Sequence, residues 1–337
     1  MVRTGSHAYV KYDFETSYGT GATANKKFGL QDKLTSLSLT NNRINLTALN
    51  KNTIHAFAYG QQQGSASIGF VLSNPWIFGA VLGVPKSTVS SSPLYLHQYP
   101  HTDDGLNKSP RTVAVEVGYD GASADIVRTL KGGLVNNLNI SAAVGGTVEC
   151  TTDITYGEET APSTSLGTAP TVPASEFPYT FAHAELRVGG NLVAQCQDVN
   201  MSIAQNSELL YGLNSHAAVD SFRRVLDITG SFRASWINKN LLEKVLEQVK
   251  AGSSSGTYSE TVGGSPEFRL IFNKTDSIAS NGTFTPSDES IEITCSGLSI
   301  GDIGISGLEP VEPVFEEINW QVKTITVKAY NLRTAEE

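Results

Sequence analysis

The sequence predicts a mainly β fold, and three features carry that prediction. Charged residues make up only 17% of the 337 residues, Gly, Ser, Thr and Asn are abundant, and β-branched residues fall in short alternating runs. Strands favour β-branched and aromatic residues because these pack well on a pleated surface. A chain of this length buries about three quarters of its unfolded surface, so one large β domain or two smaller ones can form.

The N-terminal residues predict an extended arm. Their aromatic side chains sit on a Gly- and Thr-rich string without periodicity, and a solvated tail seldom carries so many. We therefore expect residues 1–30 to pack on a neighbouring subunit, and the alternative is a frayed terminus. The aromatic residues of this arm are Tyr12, Phe14, Tyr18 and Phe28.

Strand-like runs follow the arm. Residues 34–39 and 53–59 are two short strands, joined by the Asn-rich segment 41–52, which predicts a long hairpin loop. An Asn cap, a first-position Pro and a final Gly then bracket an apolar helix over residues 76–82, which we expect to plug the core. Clean alternation over residues 111–117 predicts a strand with one buried and one free face.

Two Gly-Gly pairs predict hairpin turns. Residues 138–154 form the first hairpin, with its turn at Gly145-Gly146. Residues 184–203 form the second, with its turn at Gly189-Gly190. The two hairpins suggest related halves of a sheet, although the sequence shows no clear repeat.

Residues 158–178, between the hairpins, are dense in Pro, Ser, Thr and Ala, which predicts a linker or surface loop. This segment divides the β domain into a first part, residues 31–157, and a second part, residues 179–337.

The second part contains the one convincing helix and an informative last strand. Residues 239–251 have a capping-box-like start and an apolar stripe, so we expect this helix to pack on a sheet. In the last strand the apolar parity changes near Lys323 and Thr324. That change predicts a β-bulge, or a bend where the strand moves between sheets.

Charge and cysteine content exclude several classes of protein. The 33 Asp and Glu outnumber the 24 Lys and Arg, giving a formal net charge of −9, whereas surfaces that grip nucleic acid or anionic lipid need clustered Lys and Arg. Three widely spaced cysteines predict neither a disulfide framework nor a zinc site. The longest apolar stretch, residues 76–84, is too short to span a bilayer, and residues 1–6 lack a signal-peptide pattern, so we expect a soluble chain made in the cytoplasm.

No catalytic motif occurs in the sequence. One spacing is metal-like, since His97 and His101 precede Asp103, but Pro100 prevents a regular helix from aligning the two imidazoles. A solvated loop is the preferred interpretation. The acidic residues within 302–317 are expected to lie on an exposed loop and not to form an acid–base pair. We therefore expect neither an enzyme nor a cofactor.

The order of these parts resembles the tail tube proteins of tailed bacterial and archaeal viruses. The resemblance extends over most of the chain, and the order of the pieces carries it more than any single piece. The pieces are residues 15–20, Phe28-Gly29-Leu30, Val81-Leu82-Gly83, residues 130–138 before a Gly-Gly hairpin, and residues 181–190.

This resemblance implies a β-sandwich or partly closed barrel with a flanking helix. It implies sixfold rings of subunits that stack, through residues 1–30, into a tube around a tape measure protein. The tube would conduct double-stranded DNA during ejection without binding it specifically. Tail terminator and baseplate or distal tail proteins would be partners at its ends, no membrane would be involved, and the virion tail would be assembled in the host cytoplasm.

The net charge predicts a channel wall that repels DNA, because lysines there would release counterions and hold phosphate. Glu116, Glu185 and Asp227 lie opposite the apolar parity on predicted strands, so each faces either the lumen or the outside.

Two other functions stay open. A β-rich stalk or carbohydrate-binding module on a virion or cell surface would explain the Asn-X-Thr sequons and the Ser/Thr-rich surface. A pocket of convergent titratable groups would instead indicate an enzyme. Free strand edges favour the ring, because closure removes edges that otherwise aggregate.

Overall fold

A computed structural model describes most of the chain. The described residues are 8–49, 52–91, 94–100, 111–120, 124–160, 162–163, 166–167, 176–189, 191–193, 196–235, 267–274, 289–306 and 314–333. The helix predicted over 239–251 lies outside them. Among the described residues, no helix has the length and apolar character needed to cross a membrane.

Secondary structure in these ranges is mainly β, as the sequence predicts. One short helix, α1, is Phe78–Leu82. The strands are β1 (Ala8–Phe14), β2 (Leu30–Thr40), β3 (Arg43–Thr47), β4 (Ile54–Tyr59), β5 (Gln63–Val71), β6 (Lys86–Ser91), β7 (Leu94–Pro100), β8 (Val113–Tyr119), β9 (Ile126–Ala143), β10 (Glu149–Tyr156), β11 (Glu158–Glu159), β12 (Ala184–Val188), β13 (Asn191–Leu192), β14 (Cys196–Ala204), β15 (Glu208–Tyr211), β16 (Ala218–Phe222), β17 (Asp227–Ser235), β18 (Phe268–Asn273), β19 (Glu289–Ser296), β20 (Ser299–Ser306), β21 (Phe315–Val322) and β22 (Thr324–Asn331).

Two large antiparallel sheets contain most of these strands. The eleven-stranded sheet runs in the order β2-β5-β10-β9-β14-β17-β21-β20, with β8 and β11 paired to β9 and β1 paired to β8. The seven-stranded sheet runs β13-β12-β18-β19-β22-β7-β6. Two hairpins, β3–β4 and β15–β16, stand apart as two-stranded sheets. No sheet among the described strands closes into a barrel.

The core lies between the two sheets. The ring of Phe268, on β18 of the smaller sheet, lies 4.3 Å from that of Trp320, on β21 of the larger sheet. Gly230 makes this approach possible, because a Cβ there would lie 2.3 Å from the Trp320 ring. Side chains from two facing sheets that interdigitate in this way define a β-sandwich, which confirms the predicted fold class.

Two predictions that depend on neighbouring residues are confirmed. The first Gly-Gly hairpin is β9–β10, with Cys150 opposite Ile140. The predicted core plug is α1, and all five of its residues are buried. It begins later than predicted, at Phe78, and ends at Gly83, whose φ of 97° suits glycine.

The change of parity in the last strand is a move between sheets, as predicted. β21 belongs to the larger sheet and β22 to the smaller one, with Lys323 alone between them. The apolar residues of both strands are buried, because the turn at Lys323 keeps each set facing the shared core.

Three predictions about these strands are wrong. The Asn-rich segment 41–52 contains β3, so the hairpin there is β3–β4 and not a loop. The hairpin after β12 returns only as the two-residue β13, and β14 pairs instead with β9 and β17 of the other sheet. The face of the 111–117 strand that was predicted to be free is covered, since Ala114 is buried and Glu116 is half-buried. For β14 and β8, partners distant in sequence decide the structure, and local parity does not report them.

Parts of the predicted linker lie along the larger sheet. Glu158 and Glu159 form β11 beside β9, and Ser163 bridges to Val127. The first and second parts of the chain also share this sheet, because β9 pairs with β14. The predicted division at 158–178 stays a prediction.

Candidate assembly surfaces

The metal-like spacing does not gather ligands where the structure describes it. His97 is fully buried, with Nδ1 2.8 Å from Ser87 Oγ and Nε2 3.0 Å from Asn331 Oδ1. An imidazole with both nitrogens engaged in this way is a packed structural group. His101 and Asp103 lie outside the described residues, and within them no three His, Cys, Asp or Glu side chains cluster as a metal site would require.

Burial is the main cause of the shifted pKa values of the described thiols and carboxyls. Burial raises the pKa of Cys196 and of Cys295 to about 12, so neither thiol ionises near neutral pH. Burial also raises the pKa of Asp32 to about 7, although it accepts a hydrogen bond from the Gly29 amide. The predicted acidic loop is in part strand β21, where Glu316 is buried.

The aromatic residues of the predicted arm belong to the chain's own core. β1 pairs with β8 over seven residues, and Tyr12, Phe14 and Phe28 are all buried. The Tyr12 and Phe28 rings lie 4.5 Å apart. The expectation that these side chains wait exposed for a neighbouring subunit is therefore wrong. Ring stacking by residues 1–30 stays a prediction without that support.

Glu15 fastens the end of β1 to the middle of β9. Its carboxylate accepts hydrogen bonds from the amides of Gly19, Gly21 and Gly132, at 3.0, 3.1 and 3.0 Å. Tyr18 closes over this point, since a Cβ on Gly132 would lie 2.6 Å from its ring. The segment after β1 is thus tied down by a buried carboxylate.

The face of the larger sheet that points away from the core is polar, with many short hydroxyl and amide side chains. Cross-strand register aligns its side chains in rows, and two adjacent rows form what we call the polar face. Lys33, Glu149 and Asp302 are the charged residues in these rows. Their members are Lys33, Gly69, Thr151, Asn139, Ser202, Thr229, Gln321 and Ser299 in one, and Glu149, Ser141, Asn200, Ser231, Asn319 and Asp302 in the other.

The polar face is concave. It holds a depression of about 630 Å³ that spans β9, β14, β17, β21 and β20. The next row, Asp198, Arg233 and Glu317, alternates in sign across three strands. Charge near the depression is therefore mainly acidic, with Arg233 as the basic residue of this row.

The three acids predicted to face the lumen occupy different environments. Glu116 accepts a hydrogen bond from Tyr9 at 2.6 Å and pairs with Lys11. Glu185 is buried in the smaller sheet, paired with Arg187, so its predicted free face does not exist. Asp227 alone borders the polar face, where it accepts a hydrogen bond from Gln321 at 2.7 Å.

The two isolated hairpins carry ten of the eighteen large apolar side chains that are exposed among the described residues. On β4, Phe57 is 50% and Tyr59 is 61% exposed. The hairpins meet at their bases, where Gln62 donates to His216 at 2.7 Å and Tyr211 donates to Gln62 at 2.9 Å. The exposed apolar residues of both are Ile44, Leu46, Leu49, Ile54, Phe57, Tyr59, Leu210, Leu213, Val219 and Phe222.

Charge distinguishes the β3–β4 hairpin from the rest of this acidic chain. No Asp or Glu occurs from residue 33 to residue 102. On the hairpin Arg43 stacks on Phe57 at 4.9 Å. Exposed aromatic, Arg and aliphatic side chains together are typical of contact surfaces between proteins.

Sequence reasoning missed both surfaces. The polar face is present in the sequence as Ser, Thr and Asn at the parity opposite the apolar one, but the order of neighbouring strands is needed to join them. The β3–β4 hairpin was missed because its Asn content predicts a loop. A run of 70 residues without an acid, in a chain with 33 of them, was the available signal.

Comparison with known proteins identifies the family of the chain. A family model described as phage tail tube protein matches residues 5–311. A search of curated proteins gives no match. The family model covers far more than half of the chain. The chain therefore belongs to the phage tail tube protein family, whose members are structural proteins of the virion tail.

Proposed function

We propose that this protein forms closed rings that stack into a tube, and that double-stranded DNA passes through the tube during ejection. The observation that carries the proposal is the polar face: a broad, concave sheet surface with few basic residues, whose end strands β2 and β20 each have one paired neighbour among the described strands. Joining such edges around a ring turns the concave face into the wall of a channel.

The composition of the polar face suits passage. Short hydroxyl and amide side chains exchange hydrogen bonds with water easily, while binding of phosphate depends on Lys and Arg that release counterions. Asp227 borders this wall and would repel phosphate. Glu116 and Glu185 are engaged in ion pairs, so we no longer assign them to the lumen. The polar-face residues are our proposed lining of the channel.

Stacking follows from the hairpins. Their exposed apolar residues, clustered on one side of the subunit, need a partner surface. A second copy of this acidic chain offers charge complementarity to the acid-free β3–β4 hairpin. The tape measure protein would occupy the lumen before DNA, and tail terminator and baseplate or distal tail proteins would cap the ends. No catalytic step is required in this role.

A carbohydrate-binding module has less support. Sugar sites commonly stack an aromatic ring on the sugar, but Trp320, the aromatic residue at the depression, is 3% exposed and points into the core.

Electron microscopy of the purified protein tests ring formation, with tubes as the expected result. A strictly monomeric protein at high concentration would overturn the proposal. Lining is tested with Asn200→Lys/Asn319→Lys, which adds two charges to exposed positions of the polar face. We expect tubes of this variant to retain DNA at low salt and release it as salt rises.

The matched control is Ser296→Lys, at an exposed position of the smaller sheet. It should leave DNA retention unchanged. Equal retention by both variants in normal tubes would show that the polar face does not line the channel.

A further inference from the structure

The path of the larger sheet repeats itself. We call β2, β5, β9 and β10 the first unit and β14, β17, β20 and β21 the second unit. Across the sheet the first unit is ordered β2-β5-β10-β9 and the second β14-β17-β21-β20. In both, the order is first, second, fourth and third along the chain, and all neighbours are antiparallel.

Insertions fall at the same place in both units. The β3–β4 hairpin lies between the first and second strands of the first unit, and β15–β16 lies between those of the second. Helix α1 follows the second strand of the first unit. The helix predicted from sequence over 239–251 follows the second strand of the second unit.

A shared irregularity supports the repeat independently. Ile154 is the cross-strand partner of Ala66 in the first unit, and Trp320 is that of Gly230 in the second. Aligning Ala66 with Gly230 therefore also aligns Ile154 with Trp320. The β9–β10 register shifts between Asp153 and Ile154. The β20–β21 register shifts between the partners of Asn319 and Trp320, the equivalent step. The bulge is thus shared at the equivalent step, whereas the β2–β5 shift between Leu34 and Ser36 has no counterpart in the β14–β17 pair.

The pairing of β9 with β14, which joins the two units, shows how the end strands β20 and β2 can pair. Inside the chain, β9 of the first unit pairs with β14 of the second, with Ile140 opposite Met201 and Leu138 opposite Ile203. All four of these side chains are buried. The equivalents of β9 and β14 at the ends of the path are β20 and β2. Among the described residues, each has a single paired neighbour strand.

Apolar residues at these edges lack the cover that their internal equivalents have. Ile305 on β20 corresponds to Ile140 and is 43% exposed. Leu39 on β2 corresponds to Ile203 and is 39% exposed. Alternation of direction along the path also makes β20 and a following β2 antiparallel, as β9 and β14 are.

We propose that β20 of one chain pairs with β2 of the next in the register of β9 and β14, and that three chains close the ring. Each chain would then contribute two equivalent units, so that the sixfold character implied by the family resemblance comes from six units in three chains. Ile305 would lie opposite Leu37 of the neighbouring chain. This inference rests on the proposed function, because the channel must admit DNA.

Barrel geometry sets the number of chains. Each chain supplies eight strands to the wall. With strands about 4.8 Å apart and tilted by about 40°, three chains give a wall about 48 Å across, and two side-chain layers of about 5 Å each leave about 38 Å. Two chains would leave about 22 Å, too tight for a hydrated duplex on the order of 20 Å wide. Six chains would leave about 86 Å, which no longer guides the duplex.

Disulfide trapping tests the pairing and the count together. Gly304 and Ser38 are the equivalents of Asn139 and Ser202, which face each other at the internal junction. Assembled Gly304→Cys/Ser38→Cys tubes are oxidised, alkylated, denatured and separated by size. We expect a covalent ladder that ends at three chains.

The matched control is Asn139→Cys/Ser202→Cys, which should crosslink within one chain and give no ladder. A ladder that reaches six chains would overturn the threefold count. Normal tubes without crosslinks would overturn the register. Both results leave the tube itself intact, whereas failure of the unmodified protein to form rings or tubes would overturn the proposed function instead.

Discussion

Two segments near the first unit carry aromatic side chains, and they differ in how deeply these side chains are buried. One segment is β1 with the residues up to Phe28, and the other is the β3–β4 hairpin. Tyr12 and Phe28 are buried by β8 and by their own contacts, whereas Phe57 and Tyr59 are half exposed or more. β1 pairs with a strand about a hundred residues further along the chain, whereas β3 and β4, among the described strands, pair only with each other. Aromatic content therefore marks a strand, and the available partner decides between core and contact surface.

The largest expected effect concerns the first of these segments. Phe28→Ala removes a fully buried ring that packs on Tyr12, so we expect the free energy of unfolding of the isolated subunit to fall by about 3–5 kcal/mol in chemical denaturation. Tyr59→Ala is the control on the exposed hairpin and should change it by less than about 0.5 kcal/mol. Similar losses for both variants would contradict the distinction between a buried N-terminal segment and an exposed hairpin.

Changes on the β3–β4 hairpin should impair tube assembly and leave the stability of the subunit unchanged. Phe57→Ser/Tyr59→Ser removes two exposed rings from β4, so we expect tube length to fall sharply while thermal unfolding of the subunit is unchanged. Light scattering and electron microscopy measure the first quantity and calorimetry the second. Tubes of normal length would show that the hairpin faces solvent in the assembly.

A smaller effect tests how the N-terminal segment is held. Glu15→Ala deprives the Gly19, Gly21 and Gly132 amides of their acceptor, and we expect a loss of about 1–3 kcal/mol in the free energy of unfolding. Glu15→Gln keeps one acceptor oxygen and should lose less. Identical losses would indicate that the negative charge, and not the hydrogen bonds, is what matters.

The smallest expected effect is a dependence on pH. Burial raises the pKa of Glu316, whose Oε1 has no hydrogen-bond partner among the described residues. The folded state thus holds this proton more tightly than the unfolded state. Its contribution to stability is present below the unfolded pKa and is lost as pH rises through the folded one.

Glu316→Gln should remove that slope and make the protein more stable above neutral pH. Denaturation at a series of pH values measures it, with the exposed neighbour Glu317→Gln as the control. A slope that survives Glu316→Gln would belong to another group, with Asp32 the first to test.

Prediction from sequence succeeded where neighbours in sequence determine the structure. The β9–β10 hairpin and the move between sheets at Lys323 both follow from the alternation of a few adjacent residues. The burial of Tyr12, the partner of β14 and the polar face depend on which distant strands lie side by side. A period of two residues contains no information about that order, so these features required the structure.

The continuous run of β21 into β22 has a mechanical consequence. Lys323 alone separates a strand of the larger sheet from a strand of the smaller one. Tension applied to one layer is therefore handed to the other along covalent backbone, and the two layers cannot slip past each other at that corner without breaking ladder hydrogen bonds in both. The two sheets should therefore resist bending together, as one unit, and not slide independently.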